Sequence, residues 1–574
     1  MLRTALWCFV LAIIAAWTLP ARAADEPGST IVHDAEYYIL AEQHRKQWDA
    51  EDRRIDARLD AVRKKHGRPP NIIHIMWDDT AFGDVGIPAI SQIRGFKTPN
   101  IDRMAREGIM FTRMYTEPSC TPSRAACMTG RHPVRFGMGQ VGWPLEYGGL
   151  RGEEVTIAEV LSKSGYATAF YAKWHLGDIE QSYPHNQGFD ETLFTPYNQV
   201  AGLWNPQGDA IFAAMHIAPE IAPRDPYLVD KVGAIPGPGW VMTIEGRKGE
   251  QGREWGDRSA ATYEKIDPEC EGRVLDFVRR NAKAKKPFYV AYWPNLLSLF
   301  PPPKKTTVNK GSLAEGLTKL DAYIGQLMDE LKALGIAENT LLVIMADNGP
   351  MVHNPPPSFG MTDTIFRGGK GDYTEGGVRV PAFAWWPGVI EPGQLVGDII
   401  HQTDLYTTFA RLGGATQYIP TDRVIDGLDQ TALFLNGDTH GRRDYVFIYT
   451  GDILAATVKG RLKRAWVGVE GSESGVGAAF YDLYLDPREM NPLLVPLIHT
   501  SSQFGRMKSR HELWKQEYPD QRRARGIPFT GLSNARPETK AFVEQVKELK
   551  DALPFDPLEY IEVEVPAPDP DFGL

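Results

Sequence analysis

Four apolar runs, Ile72–Trp77, Tyr166–Tyr171, Pro287–Tyr292 and Asn339–Ala346, constrain this chain more than any other feature. Each has the length of a strand, and stretches of helical periodicity at Thr98–Gly108, Thr156–Ser164, Glu269–Lys285 and Leu317–Leu334 lie between and beside them. Continuous apolar strands alternating with helices predict a layered α/β domain with much parallel sheet, covered on both faces. Ligands of such sheets gather at the carboxyl ends of the strands. The polar residues that follow these runs therefore matter: Asp78-Asp79, Lys173 and His175, and Asp347-Asn348-Gly349. Each also has an ordinary reading. Adjacent acids and Asp-Asn-Gly make turns, and lysine or a lone histidine is commonly a surface group. The two-residue spacing of Lys173 and His175 would direct both to one side of a strand end.

Between the first two runs lies Cys120-Thr-Pro-Ser-Arg-Ala-Ala-Cys-Met-Thr-Gly-Arg131. Pro122 suits the first turn of a helix and Gly130 its end. Cys120 then sits just ahead of a helix N-terminus, where unpaired N–H groups favour anions. Arg124 offers a planar fork one turn inside. Taken alone, Cys-x-Pro-x-Arg is a buried cysteine beside a capped helix.

The full twelve residues resemble the signature of the type I sulfatases, Cys-(Ser/Thr/Ala)-Pro-Ser-Arg leading to Thr-Gly-Arg. Further segments resemble the same family in the same order. These are Arg68–Gly86 with its Asp-Asp and Gly-Asp, Ala172-Lys-Trp-His-Leu-Gly177, Asp347-Asn-Gly, Phe366-Arg-Gly-Gly-Lys370 and Tyr481-Asp-Leu-Tyr-Leu-Asp-Pro-Arg-Glu489. The resemblance, over about residues 68–490, implies an alkaline-phosphatase-like α/β core with a large, mostly parallel sheet flanked by helices. A smaller C-terminal subdomain with an antiparallel sheet would follow, from the strands at Arg442–Tyr449, Leu454–Trp466 and Phe480–Leu485. It also implies hydrolysis of sulfate esters. Cys120 would be oxidised to formylglycine by a formylglycine-generating or anaerobic sulfatase-maturing enzyme, and the hydrated aldehyde would be the nucleophile. Asp78, Asp79, Asp347 and Asn348, with the oxygen at position 120, would hold one divalent cation, Ca²⁺ in the first place with Mg²⁺ the alternative, since oxygen-only ligands suit these ions better than Zn²⁺. Arg124, Lys173 and Lys370 would offset sulfate charge. His175 would act as the general base that breaks the sulfate adduct.

Two places depart from the family. Ala172 replaces the first glycine of Gly-Lys-Trp-His-Leu-Gly, and no histidine follows the Pro287–Tyr292 strand, where the family places a leaving-group histidine. Trp293-Pro-Asn-Leu-Leu-Ser298 stands there, and Ser298 and His353 are the substrate-side candidates. A hydroxyl is a poorer acid than imidazolium, a difference worth about 10²–10⁴-fold for a poor leaving group. An acidic phenol needs that help less. Two other readings follow: a phosphonate or phosphate ester hydrolase of the same superfamily, or an impaired, sulfatase-like binding protein.

The formal charge of −10 argues against a nucleic-acid binder and requires a locally positive site for an anionic ester. Met1-Leu-Arg3, the apolar Leu6–Trp17 and Ala21-Arg22-Ala23 read as a secretory leader, too short for the roughly 20 residues of a membrane span. The expectation is an exported, periplasmic or secreted protein with no stable membrane span after cleavage. Its substrate would be a small-molecule or carbohydrate sulfate ester. The expected divisions are a leader at 1–23, a helical extension at 24–67, a catalytic domain at 68–441 and a C-terminal subdomain and tail at 442–574. In the extension, Tyr38, Ala41, Trp48, Ile55, Leu59 and Val62 mark one face of a long amphipathic helix. Cys120, Cys127 and Cys270 are too few for a disulfide framework, and Cys127–Cys270 pairing stays open.

Overall fold

The computed structural model describes residues 30–93, 95–142, 147–197, 242–257, 260–295, 311–350, 365–467, 479–493 and 498–552. The leader, Ser298, His353 and the segment after 552 lie outside the described residues. The strands, in chain order, begin with β1 (Asn71–Trp77), β2 (Ile109–Tyr115), β3 (Gly148–Gly149), β4 (Ala167–Lys173), β5 (Glu191–Thr195) and β6 (Ile244–Arg247). They continue with β7 (Arg253–Glu254), β8 (Phe288–Trp293), β9 (Thr340–Ala346), β10 (Arg379–Trp385), β11 (Gln394–Val396) and β12 (Ile400–His401). The last are β13 (Tyr445–Thr450), β14 (Ile453–Lys459), β15 (Leu462–Ala465), β16 (Phe480–Asp482) and β17 (Ala524–Arg525).

An 11-stranded sheet runs β11-β2-β10-β9-β1-β8-β4-β5-β6-β7, with β12 also on β2. The four apolar runs are its centre. β9, β1, β8, β4 and β5 are mutually parallel, and β1, β4, β8 and β9 are buried at every position. Antiparallel neighbours flank this block, β10 on one side and β6 on the other. β1 and β9 pair from Asn71↔Thr340 to Trp77↔Ala346, so Asp78 and Asp347 leave the sheet at the same level. The ladder continues past the strand ends. Asp347 N–H donates to Trp77 O at 2.8 Å and Thr80 N–H to Asn348 O at 3.3 Å.

The signature forms the helix Cys120–Thr129, buried throughout. Ser119 is its extended N-cap, and Gly130 closes it at φ 68°, a left-handed position that suits glycine. The helix starts at Cys120 itself, two residues earlier than Pro122 alone suggests, because proline also fits deeper in the first turn, where donors lack partners anyway.

Three differences from the sequence reading have simple causes. Residues 180–265 show few strand signals, yet β5, β6 and β7 extend the sheet there. They are short, carry charged residues and lead out to the sheet's edge at β7. Leu454–Trp466 is two strands, β14 and β15, divided at Gly460 (φ 59°), within the four-stranded antiparallel sheet β13-β14-β15-β16. The charged stretch 505–552 is interrupted between helices Ile498–Glu517 and Pro537–Ala552 by β17, which pairs with β3. Cys120, Cys127 and Cys270 are free and buried. No helix among the described residues is long and apolar enough to cross a membrane.

The N-terminal helix Ala35–His66 buries Leu40, Trp48, Ile55 and Leu59, while Tyr38 is largely exposed. Ion pairs strap it to the body: Arg411 meets Asp52 and Asp56, and Arg442 meets Asp52. Its cap, Asp34, accepts from Arg135 at 3.0 Å and contacts His511 Nδ1 at 2.6 Å, joining this helix, the body and the helix Ile498–Glu517. Burial works to raise the Asp34 pKa, but His511 and Arg135 outweigh it and lower the value from 3.8 to about 2. A carboxyl with a depressed folded pKa contributes stability that is complete above its unfolded pKa and lost as pH falls through the folded one. Asp34→Asn should therefore cost about 2 kcal/mol in urea denaturation near pH 6. The deficit should shrink as the pH is lowered from about 4 towards 2.

Candidate active site

Three carboxylates converge beyond the ends of β1 and β9. One oxygen each from Asp78, Asp79 and Asp347 lie within 4.8 Å of one another, all buried. Asp79 takes φ 46°, which turns the chain so that its N–H donates to Asp347 Oδ1 at 3.2 Å. Asn348 follows directly, and its Nδ2 donates to Asp79 Oδ1 at 2.7 Å. Asn348 Oδ1 is buried and has no protein partner.

Three cations answer these charges. Arg124, with no solvent exposure, donates from Nη2 to Asp78 Oδ1 at 2.8 Å and to Asp347 Oδ2 at 2.9 Å. Its Nη1 donates to the Lys173 carbonyl at 2.8 Å, and its guanidinium lies 5.1 Å from the Trp293 ring centroid. Lys173 Nζ donates to Asp78 Oδ1 at 2.6 Å. Lys370 Nζ donates to both Asp79 oxygens, at 2.8 and 3.1 Å. Cys120, at the first position of its helix, is near enough for its charge to act on both Arg124 and Lys370.

Burial works to raise Asp78, but Lys173 and Arg124 hold its carboxyl well below the usual range. Asp347 goes the other way: burial, then the Asp78 charge, pushes it well above. Such a split marks carboxylates crowded past what their cations satisfy. Three carboxyls face three cations here, and a divalent cation would add positive charge for an anion to meet. The donors fit such an ion. They are all oxygen, and Asn348 Oδ1 lacks only a partner.

His175 stands apart from the carboxylates. Its φ of 59° and the φ of 80° at Ala172 are left-handed, and they bend the chain sharply on either side of Lys173. Ala172 occupies the place where the resemblance expects glycine, and the backbone keeps the conformation glycine would favour. His175 Nε2 lies 2.9 Å from the Gly142 carbonyl, which can only accept. The proton is then on Nε2, and Nδ1 is bare, buried and unpartnered. Burial, followed by the charges of Lys173 and Arg124, holds the ring well below its usual pKa and so neutral.

The site thus draws together Asp78, Asp79, Asp347, Asn348, Arg124, Lys173, Lys370 and Cys120, from segments hundreds of residues apart. Sequence reasoning missed Trp293 under the Arg124 guanidinium, and Gly142. The Gly142 N–H receives Thr121 Oγ1 at 2.8 Å as its acceptor while its carbonyl holds His175. Trp293 was traceable as the last residue of a central parallel strand. Gly142 carries no local signal.

A sequence model of the family described as Sulfatase matches residues 70–210 and 255–415. The rat steryl-sulfatase is 32% identical over 435 residues, covering 68% of this chain and 74% of that protein. Human N-acetylgalactosamine-6-sulfatase is 32% identical, covering 69% and 71%. Human arylsulfatase A is 35% identical, covering 67% and 71%. Among solved structures, the PsFucS1 sulfatase from Pseudoalteromonas sp. superposes with a TM-score of 0.72 at 28% identity, covering 83% of this chain and 96% of that one. The large sheet and separate antiparallel sheet are those of an alkaline-phosphatase-like fold.

Removing Arg124 should leave Asp347 without its cation and Asp78 with Lys173 alone. Arg124→Ala should lower stability by about 3–5 kcal/mol in chelator-containing urea titrations. Added Ca²⁺ should restore part of the loss by neutralising the same carboxylates.

Proposed function

The chain belongs to the sulfatase family of sulfuric ester hydrolases, and on that premise we propose that it cleaves aryl-type sulfate esters with a formylglycine made from Cys120 and one bound divalent cation, Ca²⁺ in the first instance. The observation that carries this reading is the partnerless, buried Asn348 Oδ1 beside three converging carboxylates. Asp78, Asp79, Asp347 and Asn348 would hold the cation. When bound, the cation would polarise a sulfate oxygen and acidify the attacking hydroxyl, which the hydrated aldehyde at position 120 supplies.

The remaining work falls to the chain's own side chains. Lys173 and Lys370 contact the same carboxylates that would hold the cation, and their Nζ donors would serve sulfate oxygens beside it. Arg124 holds Asp78 and Asp347 at the spacing the cation needs. The bare Nδ1 of neutral His175 supports its role as the base that takes a proton from the residue-120 hydroxyl after the phenol has left. No histidine follows β8 in the sequence where the resemblance expects a leaving-group acid, which favours an acidic leaving group. Lys370 would stabilise charge on the leaving oxygen. Export through the leader at 1–23, before or with conversion of Cys120, belongs to the same proposal.

Nitrophenyl sulfate turnover by protein from a maturing host tests this reading directly. Activity should vanish on chelation, return with Ca²⁺, and be absent from Cys120→Ala. Peptide mass spectrometry should find an aldehyde in place of the Cys120 thiomethyl group. An unmodified Cys120 in an active enzyme would refute the nucleophile, and faster cleavage of a phosphonate monoester would move the assignment to that ester class. His175→Ala should release a first equivalent of phenol and then turn over about 10²–10⁴-fold more slowly. Across a series of aryl sulfates, kcat/KM should fall steeply as the phenol becomes less acidic.

A further inference from the structure

A second buried group of ionisable side chains flanks the ends of the signature helix. Glu117 lies three residues before Cys120, and His132 two after Gly130. His401 ends β12, whose pairing with β2 sets it opposite Tyr115. One ligand-capable atom from each of Glu117, His132 and His401 lie within 4.8 Å of one another. His132 Nδ1 is 2.8 Å from Glu117 Oε1, and the two imidazole centroids are 5.3 Å apart. None of the three is more than 3% exposed. His401 Nδ1 lies 2.8 Å from Thr403 Oγ1 and 3.4 Å from the Thr403 N–H. His401 Nε2 is buried and has no partner.

The surrounding charges do not balance. Glu117, Asp34 and Asp426 are buried carboxylates, and Arg135, paired with both Asp34 and Asp426, is the guanidinium among them. Neighbouring Arg131 and Arg443 are engaged by Glu154 and Asp404. The buried carboxylates therefore outnumber the fixed cation among them. One divalent cation would offset that excess and give His401 Nε2 a partner.

We propose that Glu117, His132 and His401 form a second metal site of the Zn²⁺ class, separate from the all-oxygen centre. Two imidazoles and a carboxylate are ligands that favour Zn²⁺ over Ca²⁺. Ligand bonds of about 2.0–2.2 Å set ligand atoms somewhat over 3 Å apart, so the Glu117–His132 contact need open only slightly. Metal binding at Nε2 would place the His401 proton on Nδ1, where Thr403 Oγ1 at 2.8 Å can accept it in place of the 3.4 Å contact from the Thr403 N–H. Ser123 Oγ donates to the Glu117 carbonyl at 2.9 Å, so an ion here would pin the first turn of the Cys120 helix without meeting substrate.

The test is Co²⁺ titration of the metal-stripped full-length protein, read by its visible d–d absorption. We expect one equivalent bound more tightly than about 10 μM, displaced by Zn²⁺ and not by Ca²⁺. The band should persist in Asp347→Asn and be lost in His401→Ala and in the near-isosteric Glu117→Gln. Thr403→Val should weaken Zn²⁺ binding by about 10- to 100-fold. X-ray absorption of the Zn²⁺-loaded wild type should show imidazole scattering, which settles the question even where a variant fails to fold. No Co²⁺ or Zn²⁺ binding, an all-oxygen shell, or binding that disappears with Asp347→Asn and survives His401→Ala would overturn the proposal. In the first case protons alone balance the cluster.

Discussion

A guanidinium with no contact to solvent holds the catalytic layer together. Arg124 reaches Asp78, Asp347 and the Lys173 carbonyl at once, and so ties the ends of β1, β9 and β4 to the helix that begins at Cys120. Burying it is costly and is offset only because two carboxylates need it as much as it needs them. The flat face of Trp293, at the end of β8, covers its remaining surface. Four adjacent strands thus converge on one side chain, and the position of Cys120 follows from theirs.

The electrostatics of the layer prepare it for anions. Three cations face three carboxyls, and a bound dication would make the centre positive. The protein as a whole is acidic, and this local inversion is what an anionic ester requires. His175 is kept out of the balance: burial and the neighbouring cations leave it neutral, and the Gly142 carbonyl decides which nitrogen carries the proton.

Much of this was legible from residue order. The strand-like runs lie where the strands are, and Asp78, Asp79, Asp347 and Asn348 come together as the parallel arrangement requires. Arg124 was expected to face sulfate, whereas its fork is taken up by carboxylates, a choice that depends on which acids the sheet brings within reach. The short strands β5, β6 and β7 escaped detection because two to five mixed residues carry no periodicity. The site around Glu117, His132 and His401 escaped for a different reason. Its members have no motif spacing, and only the β2–β12 pairing brings His401 to the others.

The sequence by itself determined the local chemistry: where strands alternate with helices, which residues stand at the strand ends, and that a cysteine would open a helix. These depend on neighbours along the chain, through periodicity, turn residues and caps. Tertiary structure alone decided the partners, because the order of strands in the sheet determines which distant side chains share a buried volume. That is how Arg124 came to bridge two aspartates, how Gly142 came to orient His175, and how two histidines and a glutamate met beneath the helix that carries Cys120.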